Sequence, residues 1–331
     1  SVLGGGSAHF LVQWWWGRRI GALLVPERPD FSDPDLRRMM LLFLPYAAGL
    51  SLNQINPVVS RMLGSFLEEG SISVLNYANR IVQLPLGLFV VAVSQAVLPR
   101  LSQVCEPEEF TSTLGEALRF ALFIVLPATV ALIVISKPFV HLIFVRGAFG
   151  ERAWGATSWA LTLSVLGLPG MACSTIVTRG LYALSMPRAA FGTTLFSVGC
   201  TTVLSFILML PMGYGGLALA PSVAFSFAGL LGLYCIRKKI KRPTGNGPAS
   251  PGFFPLISVG WAMKIAAALA LMFFALELYG FLLPYAPSEG LGVRTGWCLG
   301  AIAVGGGVYG TVSWILGFEE WLWIGDALAR K

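Results

Sequence analysis

SISVLNYANRIVQLPLGLFVVAVSQAVLP, residues 71–99, is an apolar stretch long enough to cross a bilayer, and it contains an arginine, Arg80. A guanidinium inside a membrane span costs about 2.5–3.5 kcal/mol on insertion scales, so it normally faces a helix-bundle interior or a water-filled cavity. Asn76, Gln83 and Ser94 are spaced so that they share one helical face with Arg80. The stretch therefore predicts a membrane helix with a polar face, and Arg80 is the first candidate functional residue.

The composition of the whole chain predicts a membrane protein. Of its 331 residues 56% are apolar and 12% are charged, and the mean hydropathy is +0.74. A soluble domain carries about 25% charged residues, so we predict an all-α, polytopic bundle of transmembrane helices. We expect one short apolar stretch followed by eight full spans, each of about 20 residues or more. They lie near 1–16, 39–66, 71–101, 117–145, 154–185, 189–212, 214–236, 253–283 and 295–318.

The distribution of basic residues predicts the orientation of the chain in the membrane. The formal net charge is +7, but the basic residues sit at span ends rather than on one polar domain, which argues against nucleic-acid binding. When successive loops are assigned to alternate sides, most Lys and Arg residues fall on one side. The positive-inside rule makes that side cytoplasmic and places the C-terminus there.

Few residues in the chain suit catalysis or metal binding. His9 and His141 are too far apart for a cluster, and no pair of cysteines has CxxC spacing. Acidic residues within the spans are nearly absent apart from Glu277, near a span end. We predict no catalytic group, no metal and no cofactor, and we interpret His141 as a hydrogen-bonded residue near the membrane interface.

The span near 39–66 carries a second polar face. Asn53, Asn56 and Ser60 recur at helical spacing, with Arg61 beside them, and the turn before residue 71 is short. A short turn predicts an antiparallel hairpin, so this face should meet the Arg80 helix. The alternative is that the Asn and Ser side chains only form hydrogen bonds between helices.

Five stretches together resemble the MviN/MurJ family of lipid II flippases, which belongs to the superfamily of multidrug, oligosaccharidyl-lipid and polysaccharide exporters. The resemblance covers nearly the whole chain. The stretches are LPYAAGLSLNQIN (44–56), EGSISVLNYANRIVQLPLGLFVVAVSQAVLPRLS (69–102), FVRGAF (144–149), RGLYAL (179–184) and GGLALAPS (215–222).

The resemblance implies a domain organisation. Members have two six-helix lobes followed by two further helices, so this chain would hold the C-terminal portion, and the segment before it would supply the missing first lobe. The implied parts are the truncated end of the first lobe (1–16), a cytoplasmic inter-lobe loop (17–35), the second six-helix lobe (36–237), a basic cytoplasmic linker (238–252), two additional transmembrane helices (253–318) and a cytoplasmic tail (319–331).

The resemblance also implies a binding site for the cargo. Members place an arginine at the position of Arg80, facing a central cationic cavity that suits a pyrophosphate and sugar headgroup. Members commonly have acids near that arginine, whereas this chain has Asn79 and Gln83. With the residues found from the spacing, the expected substrate-binding set is Arg80, Asn76, Asn79, Gln83, Arg61, Asn53 and Asn56.

Some members use acidic or Asn side chains of the second lobe for a cation. The matching positions here are Ser60, Thr201 and Ser205. All three are neutral hydroxyls, which argues against sodium coupling and leaves membrane potential as a driving force.

The function implied is transport of undecaprenyl-linked peptidoglycan precursor, lipid II, from the cytoplasmic to the periplasmic leaflet of a bacterial inner (plasma) membrane. The expected partners are lipid II, membrane lipids and the first lobe, with no nucleic acid. The alternatives are a polysaccharide-repeat flippase or a multidrug antiporter of the same superfamily, and a membrane enzyme acting on prenyl phosphates. The enzyme would need metal-binding acids that the sequence does not offer near the membrane surface.

Overall fold

The computed structural model describes residues 2–19, 21, 34, 37, 40, 43, 51–52, 54–104, 106–145, 149–240, 258–321 and 323. Within these residues all regular secondary structure is helical, which confirms the predicted all-α class. The helices are α1 (Val2–Arg19), α2 (Ile55–Gly64), α3 (Ser71–Pro85), α4 (Ala92–Gln103), α5 (Pro107–Val134), α6 (Ser136–Phe144), α7 (Glu151–Val165), α8 (Leu168–Ala183), α9 (Pro187–Met212), α10 (Tyr214–Ile240), α11 (Val259–Leu282) and α12 (Leu291–Ile315), with a π-helix at Leu86–Val91 between α3 and α4.

The chain forms two compact units, Ser1–Leu44 and Pro45–Lys331. In the first unit, α1 ends in two basic residues that lie over tryptophan rings of the preceding turn. The guanidinium carbon of Arg18 is 3.8 Å from the ring centre of Trp14, and that of Arg19 is 4.4 Å from the ring centre of Trp15. All helices from α2 onward belong to the second unit.

Six continuous helices of the second unit are long and apolar enough to cross a membrane. They are the continuous run Ser71–Gln103 (α3, the π-helix and α4), α5, α9, α10, α11 and α12. Helices α7 and α8 meet at a bend of 43° and together form a seventh candidate span. The predicted span near 39–66 lies partly outside the described residues and stays a prediction.

Large apolar side chains point outward from these helices. The exposed fraction reaches 83% at Phe281 and 78% at Leu210. A soluble monomer rarely exposes such residues in extended bands, whereas lipid chains cover them in a bilayer. The fold is therefore that of a multi-span transmembrane helix bundle.

Prolines set two of the helix breaks. Helix α5 ends at Val134, four residues before Pro138, and α7 ends at Val165, four residues before Pro169. Each of these prolines lies in the first turn of the next helix, where its missing amide donor leaves no hydrogen bond within that helix unmade. The apolar stretch predicted as one span near 117–145 is consequently a long helix, α5, followed by the short helix α6.

The Arg80 helix widens immediately after Pro85. Residues Leu86–Val91 form a π-helix, which shifts the register of the residues that follow it. Ser94 is consequently fully buried and its hydroxyl donates to the carbonyl of Val91 (2.9 Å), although the sequence spacing predicted it on the polar face. The polar face therefore ends before the π-helix.

Small residues allow α8 and α10 to approach closely. A Cβ atom added to Gly170 would lie 2.9 Å from the Cα atom of Ser226, too close for a side chain to fit without a shift. One turn earlier on α10, the Ser222 hydroxyl lies 3.1 Å from the carbonyl oxygens of Leu163 and Ser164 at the end of α7. This crossing fixes the positions of α8 and α10, which form one wall of the cavity described below.

Helices α11 and α12 pack against α5 through a buried apolar cluster. The Tyr309 hydroxyl of α12 donates to the carbonyl of Phe123 on α5 (2.7 Å), and their rings lie 5.3 Å apart. Ile265 and Met272 of α11 are buried in the same cluster. The last two spans are thus attached to the bundle at α5.

Candidate functional site

A cavity of about 780 Å³ lies within the second unit, between α2, α3, α8 and α10. Its volume falls in the range of small-molecule sites, about 300–1,000 Å³. One wall comes from the polar face of α3 and another from α2. The lining residues are Asn56, Pro57, Ser60, Arg61, Ile72, Leu75, Asn76, Asn79, Arg80, Gln83, Met171, Pro221 and Phe225.

Two arginines supply the charge of this cavity. Arg61 comes from α2 and Arg80 from α3, and both side chains are exposed. No carboxylate is among the lining residues, and neither arginine forms an ion pair in the part of the chain that the structure describes. The described lining of the cavity therefore carries two positive charges and no negative one.

Three amide side chains of α3 line the same cavity as the arginines. Asn76, Asn79 and Gln83 each offer both a donor and an acceptor. Charged donors bind phosphate oxygens, and neutral amides pair with sugar hydroxyls or peptide groups. The arrangement suits a ligand with an anionic group next to a neutral polar group.

The structure brings together most of the site residues expected from the sequence. Arg80, Asn76, Asn79, Gln83, Arg61, Asn56 and Ser60 all line the cavity. Asn53 lies outside the described residues. Thr201 and Ser205 lie on α9 and do not line the cavity.

A second cavity, of about 660 Å³, lies against another face of α3. We call it the outer cavity. Its arginine, Arg152 at the start of α7, forms an ion pair with Glu68 across a distance of 2.8 Å. The Tyr77 ring lies 4.6 Å from that of Phe144 and 5.4 Å from that of Phe149, so the wall on this side is aromatic.

His141 fixes the loop between α11 and α12 near the same end of the bundle. It lies on α6, beyond the α5 span, and its Nδ1 atom is 2.7 Å from the hydroxyl of Tyr285 in that loop. Burial lowers the pKa of His141, and the charge of Arg294 lowers it further. The hydrogen bond fits the expectation that this histidine has a structural partner rather than a ligand.

Comparison with known protein families assigns the chain to one of them. The profile of the family described as "Lipid II flippase MurJ" matches residues 1–287. The chain belongs to this family. It is accordingly a multi-span integral protein of the inner membrane, as the resemblance of its motifs implied.

Individual MurJ relatives match over part of their length. The chain is 32% identical over 227 residues to a probable lipid II flippase MurJ of Rhizobium tropici, which covers 68% of this chain and 42% of the relative. It is 28% identical over 227 residues to the probable MurJ of Vibrio cholerae, at 68% and 43% coverage. The chain thus spans less than half the length of these two relatives.

Two solved transporter structures have folds similar to that of this chain. A lipid II flippase MurJ in an inward closed conformation superimposes with a TM-score of 0.69 at 28% identity, covering 89% of this chain and 57% of that one. A transporter of the MOP superfamily from Pyrococcus furiosus gives a TM-score of 0.52 at 15% identity, covering 82% and 62%. The second similarity is one of fold alone.

The three positions that the family resemblance matches to a cation site, Ser60, Thr201 and Ser205, carry only neutral hydroxyl oxygens. The hydroxyls of Thr201 and Ser205 are buried and have no hydrogen-bond partner in the part of the chain that the structure describes, and the same holds for Ser197 on the same face of α9. Among the described residues no group of three or more His, Cys, Asp or Glu side chains could hold a metal ion. Hydroxyls alone do not compensate the charge of a cation, so these residues are a poor match for one.

The sequence did not predict the third wall of the cavity. Met171 on α8, with Pro221 and Phe225 on α10, are apolar residues far from Arg80 in the chain. The available signals were the glycines near Met171 and the GGLALAPS stretch, which indicate close helix packing but do not say which helices cross.

Proposed function

We propose that this chain is the cargo-binding second lobe and trailing helix pair of a transporter that moves lipid II from the cytoplasmic to the periplasmic leaflet. The observation that carries the proposal is the cavity with two unpaired arginines in a chain of the MurJ family. The transporter forms no covalent intermediate with its cargo and releases it chemically unchanged.

Each polar residue of the cavity has a place in this proposal. Arg80 binds the pyrophosphate, because a guanidinium donates two parallel hydrogen bonds to phosphate oxygens. Arg61 adds charge from the facing helix. Asn76, Asn79 and Gln83 pair with the neutral sugar and peptide part, and Asn56 extends that polar surface along α2. Asn53, which lies outside the described residues, stays in the expected binding set.

The proposed parts of the chain are the end of a first lobe (1–16), a connection (17–35) and the second lobe (36–237), whose cavity binds the headgroup. Alternating access then moves the headgroup while the prenyl chain stays in lipid. Membrane potential, worth about 2.3 kcal/mol per charge per 100 mV, supplies a driving force without a bound sodium ion at Ser60, Thr201 and Ser205.

The proposed topology has Glu68 and Gly290 in the periplasm and Cys105, the 238–252 linker and the C-terminal tail in the cytoplasm. Single cysteines introduced at Glu68, Gly290 and Lys238 of the full-length protein, with the native cysteines replaced, test it with a membrane-impermeant thiol reagent. The first two should react in intact spheroplasts, and the third only after permeabilisation. A thiol at Gly290 that reacts only after permeabilisation would show that the assumed number of spans is wrong.

Translocation of labelled lipid II tests the function. Proteoliposomes containing the full-length protein should move the lipid between leaflets and leave it chemically intact, as judged by chromatography. Turnover of the lipid into a new product would identify an enzyme instead. Movement of a polysaccharide-repeat lipid or a cationic drug, without movement of lipid II, would assign the chain to another cargo of the superfamily.

A further inference from the structure

A further polar cavity, of about 220 Å³, lies where the start of α11 and the segment after α12 meet α5. We call it the α5–α11 cavity. It shares no lining residue with the cavity at Arg80 or with the outer cavity. Its lining residues are Arg119, Ser258, Gly260, Trp261, Lys264, Gly317, Phe318, Glu319 and Glu320.

Two cations of this cavity form no ion pair with any residue that the structure describes. The Nε atom of Arg119 is buried and donates no hydrogen bond, although the N–H of a guanidinium needs an acceptor. Lys264, one turn and a half into α11, is exposed and forms no ion pair with any described residue. An acceptor that reached both cations would complete the hydrogen bonding of Arg119.

The first turn of α11 adds further donors. Its N-cap residue Ser258 accepts the Trp261 amide (3.1 Å), while Gly260 lies in the same turn and lines the cavity. Amide groups in the first turn of a helix have no partner within the helix, and the helix dipole makes this end positive. The helix start, Arg119 and Lys264 therefore all favour an anion.

The two carboxylates of the cavity limit the charge of that anion. Glu320 is buried and accepts the indole N–H of Trp261 (2.8 Å), so it orients the wall. Glu319 is exposed, and neither carboxylate contacts Arg119 or Lys264 within ion-pair distance. By formal charge the two carboxylates balance the two cations, so a singly charged phosphodiester fits this cavity better than a doubly charged phosphomonoester.

The cavity lies beside the ends of two candidate membrane spans. It is formed by the first residues of the α11 span and the residues just after the α12 span, with Trp261 in its wall. The exposed fraction is 69% at Met263 and 62% at Val259, so apolar surface of α11 continues beside it. A volume of about 220 Å³ is too small for a typical whole ligand but suits a headgroup whose acyl chains remain outside.

We propose that the α5–α11 cavity binds the phosphodiester headgroup of an anionic membrane phospholipid, between Arg119, Lys264 and the first turn of α11. Basic pockets between transmembrane helices on the cytoplasmic side are known to hold such headgroups. Occupancy joins the trailing helix pair to α5 through a lipid, independently of the cargo cavity. The site is therefore testable without lipid II.

Native mass spectrometry of the full-length protein in an uncharged detergent tests this site. Short-chain phosphatidylglycerol and phosphatidylcholine are titrated against the wild type, Arg119→Gln, Lys264→Gln and the control Lys238→Gln. Lys238 is an exposed lysine in the last turn of α10, and α11 is the next helix along the chain. We expect the wild type to bind phosphatidylglycerol about tenfold more tightly than phosphatidylcholine, and Lys264→Gln to lose most of this preference. Lys238→Gln should keep it.

Lys264 is exposed, so Lys264→Gln should fold even if Arg119→Gln does not; thermal unfolding checks this. An unchanged lipid preference in folded Lys264→Gln would overturn the proposal, and so would an equal loss in Lys238→Gln, which would indicate general surface charge. A parallel titration with inorganic phosphate separates the two sources of a phosphate group. Displacement of the lipid by millimolar phosphate would assign the cavity to a soluble anion instead.

Discussion

The two large cavities beside α3 differ in what their arginines contact. In the cavity at Arg80, two arginines line the wall and no carboxylate does, whereas in the outer cavity Arg152 is paired with Glu68 at 2.8 Å. Both cavities have volumes typical of ligand sites. A cation already paired with a carboxylate has less to offer an anionic ligand, so the comparison favours Arg80 over Arg152 as a binding residue.

The largest expected effect comes from removing the unpaired arginine. Arg80→Ala in the full-length protein should abolish growth of cells depleted of their lipid II flippase, because the cargo pyrophosphate loses its paired charged donors. Arg152→Ala is the matched control, and it should support growth, since an exposed ion pair contributes only about 0–1 kcal/mol. Membrane expression of both variants is measured by immunoblot. Equal growth of both variants at equal expression would remove the distinction between the two cavities.

A larger residue at the crossing of α8 and α10, which forms one wall of the Arg80 cavity, should reduce the stability of the fold. Gly170→Ala puts a Cβ atom 2.9 Å from the Cα atom of Ser226, and such overpacking costs about 1–3 kcal/mol. Gly199→Ala, on α9 with no atom near the added Cβ, is the control and should be neutral or slightly stabilising. Thermal unfolding in detergent measures the difference. Equal unfolding temperatures would mean that α8 and α10 are not in close contact.

Adding an acid would make the Arg80 cavity resemble the outer one. Gln83→Glu places a carboxylate on the same face of α3, about one turn from Arg80, where it competes with the cargo for the guanidinium. Lipid II affinity should fall by about tenfold, or about 1.4 kcal/mol, without loss of folded protein. Asn79→Gln, which stays neutral, should change the affinity less. A gain in affinity from Gln83→Glu would argue that the acid orients Arg80 rather than neutralising it.

Acidification should weaken the contact between His141 and the loop that joins α11 and α12, and it should leave the Arg80 cavity unchanged. Because the pKa of folded His141 is lowered from 6.5, the fold favours its neutral form. Its contribution to stability is therefore present above pH 6.5 and is lost as the pH falls through the folded pKa. The unfolding temperature should drop between pH 7.5 and pH 5.5, and less so in His141→Gln. Hydrogen exchange in the 283–290 loop should rise over the same range in the wild type only.

The sequence predicted the Arg80 cavity better than the outer cavity, because several residues of the first lie on one helix whereas the ion pair of the second joins distant parts of the chain. Asn76, Arg80 and Gln83 are separated by helical spacing on one element, so periodicity alone places them together. The pair Arg152–Glu68 joins residues far apart in the chain, and nothing in the local pattern indicates it. The position of Ser94 was predicted wrongly because periodicity assumes a regular α-helix, and the π-helix after Pro85 breaks that assumption.

Lipid II affinity of the full-length protein tests the central claim, that unpaired charge at Arg80 binds the cargo pyrophosphate. We expect Arg80→Ala to bind about 100-fold more weakly than the wild type, since removing one partner of a desolvated charge pair costs about 2–5 kcal/mol. The affinity of Arg80→Lys should lie between those of the wild type and Arg80→Ala, because an ammonium group attracts phosphate but cannot donate two parallel hydrogen bonds to it. Arg152→Ala should bind like the wild type. Wild-type affinity in Arg80→Ala at equal folding would contradict the claim and leave Arg80 as a residue of helix packing.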